Sequence, residues 1–431
     1  MPIKFLIASV VGVAFVLNAR RAVRLQLLIV PAFFASWLVI ELAPQLLVIH
    51  AFGVAWFVLN GALESWPGWV GLGVSTGAAY LLWGLVRESF RAHDVLEEVL
   101  TEGIGPAAAH RPVLWKEFAF PFKLWSRKIR RVRNIPYAAP GTRRYKLDVW
   151  YTPDTHEAPR PCLLYVPGGA WTVGISNKNQ QGKPLLIEMA SRGWVCFVMN
   201  YPLAPRSPFP AHIIAVKRAI AWVREHADEY GGDPGFVMVS GNSAGGHLSS
   251  LAALTPNDPA YQPGFEDADT TVQAAAPLYG VYDFTGEMLG ELSGQARRHK
   301  QGMLRFLQFS IVRKSLKRSR EVFERASPWH RVGQHAPPFF LIHGSMDTLA
   351  LPHEARAFAQ RLKEASDETV IYAELPRTQH AFDQFLSIRT IYAVRAIARF
   401  GEWAWERFRT SGDARPSQPR DRAAPGPTSQ Q

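Results

Sequence analysis

Val237-Met238-Val239-Ser240-Gly241-Asn242-Ser243-Ala244-Gly245-Gly246-His247 reads as a short apolar run, then a glycine-flanked serine, then the start of a helix. An apolar run ending in so tight a turn predicts a strand over Phe236–Ser240 and a helix over Ser243–Leu254. Gly241 and Gly245 are small enough for strand and helix to pass closely. Ser243 then stands at a helix start, where backbone N–H groups lack partners. A G-x-S-x-G sequence in a strand–turn–helix context places a nucleophile. A plain glycine turn with an incidental serine is the competing reading.

A serine hydroxyl needs a base. In this arrangement the acid and base come later in the chain, in the order Ser, Asp, His. Asp347 follows a predicted strand, Phe339–His343, and His380 follows another, Thr369–Leu375. His380 is assigned as the base for Ser243 and Asp347 as the carboxylate that orients it. Asp283, after the strand Ala274–Leu278, is the weaker candidate for the acid. The run Cys162–Val166 ends in Pro167-Gly168-Gly169-Ala170-Trp171, a turn whose N–H groups can approach a bound carbonyl. Gly168, Gly169 and the N–H of Ala244 are assigned as the oxyanion hole. His247 is expected to pack or hydrogen-bond inside its helix, and His343 and His353 to be structural.

Around these motifs, strands (also Lys146–Tyr151 and Trp194–Met199) alternate with helices (Gln181–Arg192, Ala211–Tyr230, His353–Ala365, Phe385–Arg409). Such alternation predicts an α/β domain, a mostly parallel central sheet with helices on both faces. Residues 284–336 are too long for a loop and read as an insertion with its own helices, over the site as a lid or simply covering the core. Cys162 and Cys196 fall in predicted strands and carry no disulfide framework. No His, Cys or carboxylate cluster has metal spacing, and neither metal nor cofactor is expected.

The first ninety residues are much more apolar than the rest. Ile3–Leu17, Leu25–Leu59 and Trp66–Val86 are nearly uncharged, and the last has the roughly 20 residues of one bilayer crossing. Trp66, Trp69 and Trp83 form an interfacial belt. These features predict three or four membrane-embedded segments, with a hairpin near Glu41–Pro44 in the second stretch. Arg20, Arg21 and Arg24 argue for a cytoplasmic loop. The expectation is a multi-pass protein of a bacterial cell membrane, the side of the catalytic domain left open. Of the net charge of +12, part lies in a basic and aromatic stretch, 91–135, read as a connector or cap. With apolar segments beside it, lipid headgroups are the expected partner. No nucleic-acid motif is present. The tail, 411–431, has a disordered composition.

Taken together, PGGAW (Pro167–Trp171), NYPLAPRSPFPA (Asn200–Ala211), GGDPGFVMVSGNSAGGH (Gly231–His247), HGSMDTLALP (His343–Pro352) and QHAF (Gln379–Phe382) resemble the α/β-hydrolase serine carboxylesterases and lipases of the hormone-sensitive-lipase-like group. The resemblance runs from about Tyr145 to Arg409. It implies a serine esterase with Ser243, Asp347 and His380 as its triad and the Gly168-Gly169 turn in its oxyanion hole. Short- to medium-chain acyl esters are the expected substrates, membrane lipids among the candidates. An arylformamidase-like amidase and a catalytically silent, membrane-tethered binding module are the alternatives. Two positions depart from the group. Pro167 stands where a histidine is usual, which bears on substrate preference. Asn242 stands where aspartate is frequent, and is expected to matter little.

Overall fold

The structure, a computed structural model, describes residues 1–21, 29–107, 112–138, 145–153, 159–172 and 176–411. Arg24 and the tail beyond Ser411 lie outside the described residues. An eight-stranded sheet organises the C-terminal two thirds: β1 (Arg130–Pro136), β2 (Lys146–Tyr151), β3 (Arg160–Val166), β4 (Val195–Met199), β5 (Gly232–Asn242), β6 (Ala274–Leu278), β7 (Phe339–Gly344) and β8 (Val370–Leu375), in the order β1-β2-β4-β3-β5-β6-β7-β8. The β1–β2 and β2–β4 pairs are antiparallel and the others parallel.

Strands β3 and β4 are buried along their whole length and β5 over its second half, which is why they read as unbroken apolar runs. β1 was not foreseen from the sequence. It is an edge strand carrying three arginines, and charge on an edge blocks pairing with other chains. It is fastened through Arg131, which donates to Asp148 of β2 at 2.9 and 2.5 Å, while the buried Lys178 pairs with the other carboxylate oxygen.

The apolar N-terminal region holds α1 (Pro2–Arg20), α2 (Ile29–Glu41), α3 (Ala43–Leu59) and α4 (Trp66–Ile104), and a single turn, α5 (Trp115–Phe118), follows. Helices α6 (Lys183–Ser191), α7 (Ala211–His226), α8 (Ala244–Ala253), α9 (Gly294–Phe306), α10 (Arg320–Ala326), α11 (Pro352–Ala365) and α12 (Ile388–Thr410) complete the chain. One face of the sheet packs on α7, α8 and α11 through Ile213, Val216, Leu248, Leu251, Phe358 and Leu362. The other packs on α6, α12 and the end of α4 through Leu186, Met189, Ile397, Phe400, Leu96 and Leu100. Helix α4 therefore crosses position 90, where a domain boundary was expected. At about 1.5 Å per residue its 39 residues reach roughly 58 Å, from the apolar region into the layer against the sheet.

Helices α1 and α4 are each long and apolar enough to cross a membrane, and α2 with α3 pass the same test only as a pair. That pair meets at 87°, a right-angle bend where a hairpin was expected. In this region apolar side chains also line the outside while several polar ones are buried. Ile3, Ile7, Phe15, Ile49, Phe52 and Trp56 are exposed, whereas Ser9, Ser36, Ser75 and Glu41 are buried. Ser9 and Ser75 share a 2.9 Å hydrogen bond between α1 and α4, and Gly71 lets the helices close up over Phe5.

The insertion after β6 is docked rather than free. Leu304, Leu307, Ile311 and Val312 are buried, Phe209 N–H donates to Ile311 O at 2.9 Å, and buried Lys300 reaches Glu354 at 2.6 Å.

Candidate active site

The tips of β3, β5 and β6 lie side by side, with Val166 opposite Gly241 and Gly241 opposite Pro277. The chain turns from β5 into α8 in one residue, Ser243, at φ 54° and ψ −118°. A non-glycine residue in that region is strained and needs its surroundings to hold it. Here Ser243 N–H donates to Leu278 O at 2.9 Å, and His247 N–H to Ser243 O at 3.0 Å. The turn closes only because Gly245 has no side chain: a Cβ there would lie 1.9 Å from Val166 O. Ser243 is left partly exposed at the end of a buried strand.

His380 and Asp347 converge on it from the loops after β8 and β7. His380 Nε2 lies 2.9 Å from Ser243 Oγ, and its Nδ1 lies 2.6 Å from Asp347 Oδ2. Asp347 Oδ1 accepts from the N–H groups of Leu349 and Ala350, both at 2.8 Å. Burial alone would push the Asp347 carboxyl up, but His380 and His343 beside it outweigh that and hold it well below the usual carboxylate range. His343 Nε2 is 3.3 Å from Asp347 Oδ2 and 2.8 Å from Ala350 O, so this histidine steadies the acid loop. Asp283 is elsewhere, accepting from Thr285 and Gly286 and lying 3.6 Å from Lys300 Nζ.

Three residues that the sequence reading gave no role organise these loops. Gln379 Oε1 accepts from Thr348 N–H at 2.8 Å and from His380 N–H at 3.0 Å, joining the Asp347 and His380 loops. The Tyr279 ring stands edge-on to His380 at 4.5 Å. Asn242, expected to matter little, accepts from Gly168 N–H at 2.7 Å and donates to Tyr279 Oη at 3.0 Å. Tyr279 in turn donates to buried Asp383. Burial pushes the Asp383 carboxyl up, only partly offset by Tyr279, Gln384 and Asn242. A polar residue between a glycine and a serine carries no sequence signal for such a role.

That network corrects one expectation. The Gly168 N–H does not face the site, because it is taken by Asn242 Oδ1 and by Gln181 Oε1 at 2.8 Å. Among the described residues, the N–H groups of Gly169, Ala170 and Ala244 have no acceptor. Gly169 must be glycine: its φ is 111°, and a Cβ would meet Ser176 Oγ at 2.4 Å. Pro167 is held by Tyr201, whose hydroxyl donates to its carbonyl at 2.8 Å.

His247 accepts from Trp171 Nε1 at 3.2 Å through Nδ1 and lies 2.7 Å from Ala326 O through Nε2, tying the turn to α10. Nδ1 is then the bare nitrogen, and burial drives the ring down to about 3. His353 lies at the start of α11. Cys162 and Cys196 are free and buried, and burial raises both thiols. The fold brings Glu287, Glu324 and His330 within 4.8 Å of one another, a grouping the sequence spacing hid. Arg320 pairs with both carboxylates, at 2.5 and 2.7 Å, so part of the charge that a cation would answer is already met.

Comparison with known proteins agrees with this architecture. Over 268 residues the chain is 47% identical to the probable carboxylic ester hydrolase LipM of Mycobacterium tuberculosis, covering 62% of this chain and 60% of that protein. Esterase LipQ of the same organism is also 47% identical over 268 residues, covering 62% and 61%. The chain thus spans about three fifths of the length of these relatives. Among solved structures, an inhibited esterase B from Lactobacillus rhamnosis superposes with a TM-score of 0.54 over 69% of this chain and 93% of that one. At 18% identity that likeness is one of fold. The BD-FAE family model matches residues 147–362, half of the chain and most of the sheet domain. On that match, and with this sheet and elbow, the chain belongs to the BD-FAE family and has the α/β-hydrolase fold.

Proposed function

We propose that this protein is a serine hydrolase of carboxylic esters, anchored in a membrane by its N-terminal helices. The observation that carries the reading is His380, which bridges Ser243 at 2.9 Å and Asp347 at 2.6 Å. In the reaction, Ser243 Oγ attacks the ester carbonyl as His380 Nε2 takes its proton. Asp347 keeps the ring in the tautomer with Nδ1 protonated and stabilises the cation. The tetrahedral oxyanion is received by the N–H groups of Gly169, Ala170 and Ala244. His380 then protonates the departing alkoxide, leaving an acyl-enzyme. Water, deprotonated by the same histidine, releases the acid and restores Ser243.

Anchoring is supported by the two helices of membrane-crossing length and by apolar side chains facing outward from α1 and α3. The names of the two relatives support esters over N-formyl amides as the substrate class. A complete set of nucleophile, base and acid argues against a silent binding module.

The test is hydrolysis of p-nitrophenyl esters of graded chain length by the full-length protein in detergent, beside a Ser243→Ala variant and a matched N-formyl aromatic amide. Ester turnover that falls by about four orders of magnitude or more in the variant is expected. Turnover indifferent to Ser243, or confined to the amide, would sink the reading.

A further inference from the structure

Helix α2 lies directly on the loop that carries the catalytic histidine. Trp37 Nε1–H donates to Ala381 O at 2.9 Å, next to His380. Gln379 Nε2 donates to Ser36 Oγ at 3.1 Å, and the Phe33 ring stands edge-on to His380 at 6.4 Å. At the end of the helix, Ser387 Oγ donates to buried Glu41 at 2.6 Å and Arg389 donates to Ile40 O at 3.3 Å. An apolar segment used only as a tether has no reason to hydrogen-bond to a catalytic loop.

The other side of α2 carries Val30, Phe34 and Leu38, four residues apart, at 56%, 49% and 40% exposure. A spacing of four is one stripe of a helix. The helix has 13 residues, too few to span a bilayer, and turns by 87° into α3. Packed rings link this helix to the next exposed aromatic stretch, Trp37 to buried Phe385 at 5.3 Å and Phe385 to Phe122 at 5.3 Å. Phe122 belongs to a stretch that also exposes Trp115, Phe120 and Trp125, with Lys116, Lys123 and Arg127 over the tryptophan rings. Aromatic rings interleaved with cations fit a bilayer surface.

We propose that α2 is an interfacial helix and part of the active site. One face braces the His380 loop, and the stripe of Val30, Phe34 and Leu38 lies in lipid. The catalytic serine thereby opens to the membrane surface, and the substrates are long-chain acyl esters resident in the bilayer rather than esters dissolved in water. Trp37 is a positioning residue that acts through the loop. The inference rests on the esterase reading above.

The experiment uses the full chain in phosphatidylcholine vesicles. Cys162 and Cys196 are buried, so a nitroxide reagent will mark an introduced thiol selectively. A label on Phe34→Cys should relax with oxygen and ignore a water-soluble nickel chelate, whereas one on Lys363→Cys of α11 should do the reverse. p-Nitrophenyl palmitate held in the vesicles should be turned over with at least about tenfold higher kcat/KM than dissolved p-nitrophenyl acetate. Trp37→Phe keeps an aromatic ring but loses the indole N–H, so kcat should fall about tenfold on both esters with KM unmoved. A label at position 34 reached by the chelate would overturn the inference. So would Ser243-dependent turnover that favours the dissolved ester, and that result would leave the esterase reading standing. No turnover of either ester by folded protein sinks both.

Discussion

Asn242 lies one residue before Ser243, and its side chain holds the Gly168-Gly169 turn. Its Oδ1 holds Gly168 N–H at 2.7 Å and its Nδ2 reaches Tyr279 at 3.0 Å. Asn242→Ala would leave the Gly168 end of the turn on Gln181 alone. In the esterase reading this loosens donors that matter chiefly in the transition state, so steady-state kinetics should show kcat reduced about 10- to 100-fold with KM nearly unchanged. Asn242→Asp keeps an acceptor for Gly168 and should recover most of that loss. Gly245 allows no such latitude. Its missing Cβ would sit 1.9 Å from a backbone oxygen of β3, which cannot swing aside as a side chain can. Gly245→Ala should cost at least about 3 kcal/mol, seen as a lowered melting temperature or loss of folded protein.

At the scale of elements, the insertion between β6 and β7 is held by one buried cation. Lys300 of α9 donates to Glu354 Oε1 and to Asp283 O, both at 2.6 Å, with its ammonium almost fully enclosed. Burial would raise the Asp283 carboxyl, but Lys300 and the hydrogen bonds of the following turn hold it below its ordinary value. Lys300→Met removes the cation and leaves two buried carboxylates, at a cost of about 3–5 kcal/mol in thermal unfolding. The elements also differ in how openly the sequence announces them. Buried parallel strands such as β3 and β4 are continuous apolar runs, and their existence can be read directly. β1 reads as a basic loop, because an edge strand fills its outward positions with charge. Helix α7 ends at His226 and passes into a short 3-10 turn, Ala227–Tyr230, whose side chains keep the helical apolar spacing, so the expected helix ran one turn further.

For the whole molecule, stability is tied to pH through two histidines sealed in the core. Burial drives His212 down to about 4 and His247 down to about 3. In the unfolded chain both take up a proton below about pH 6.5. Between there and the folded values the unfolded state binds more protons, so stability falls as the pH drops. Melting in detergent should show a loss of order several kcal/mol between about pH 6.5 and 4, and His247→Gln should flatten the slope. Rigidity across the molecule comes from α4, one helix shared by the apolar region and the sheet domain. Arg399 joins it to α12 through Glu97 at 2.8 Å, and Gly103 admits Ile371 of β8. The sheet domain is therefore held in a set orientation to the N-terminal helices.

Strand and helix identity, the elbow at Ser243 and the nomination of Asp347 and His380 could be read along the chain, because each depends on local spacing: apolar runs, glycines beside a hydroxyl, a carboxylate and an imidazole just past strand ends. Hydrogen-bond partners could not. Asn242 with Gly168, Gln379 between two loops, and Trp37 on Ala381 are contacts between residues tens to hundreds of positions apart, made by side chains common enough to carry no pattern. The direction of the Gly168 N–H was hidden for the same reason, since a glycine pair offers donors without saying which way they turn. Hydropathy marks the N-terminal helices as apolar. That one of them rests on the histidine loop is a property of packing, and only the folded chain brings positions 37 and 381 within 2.9 Å.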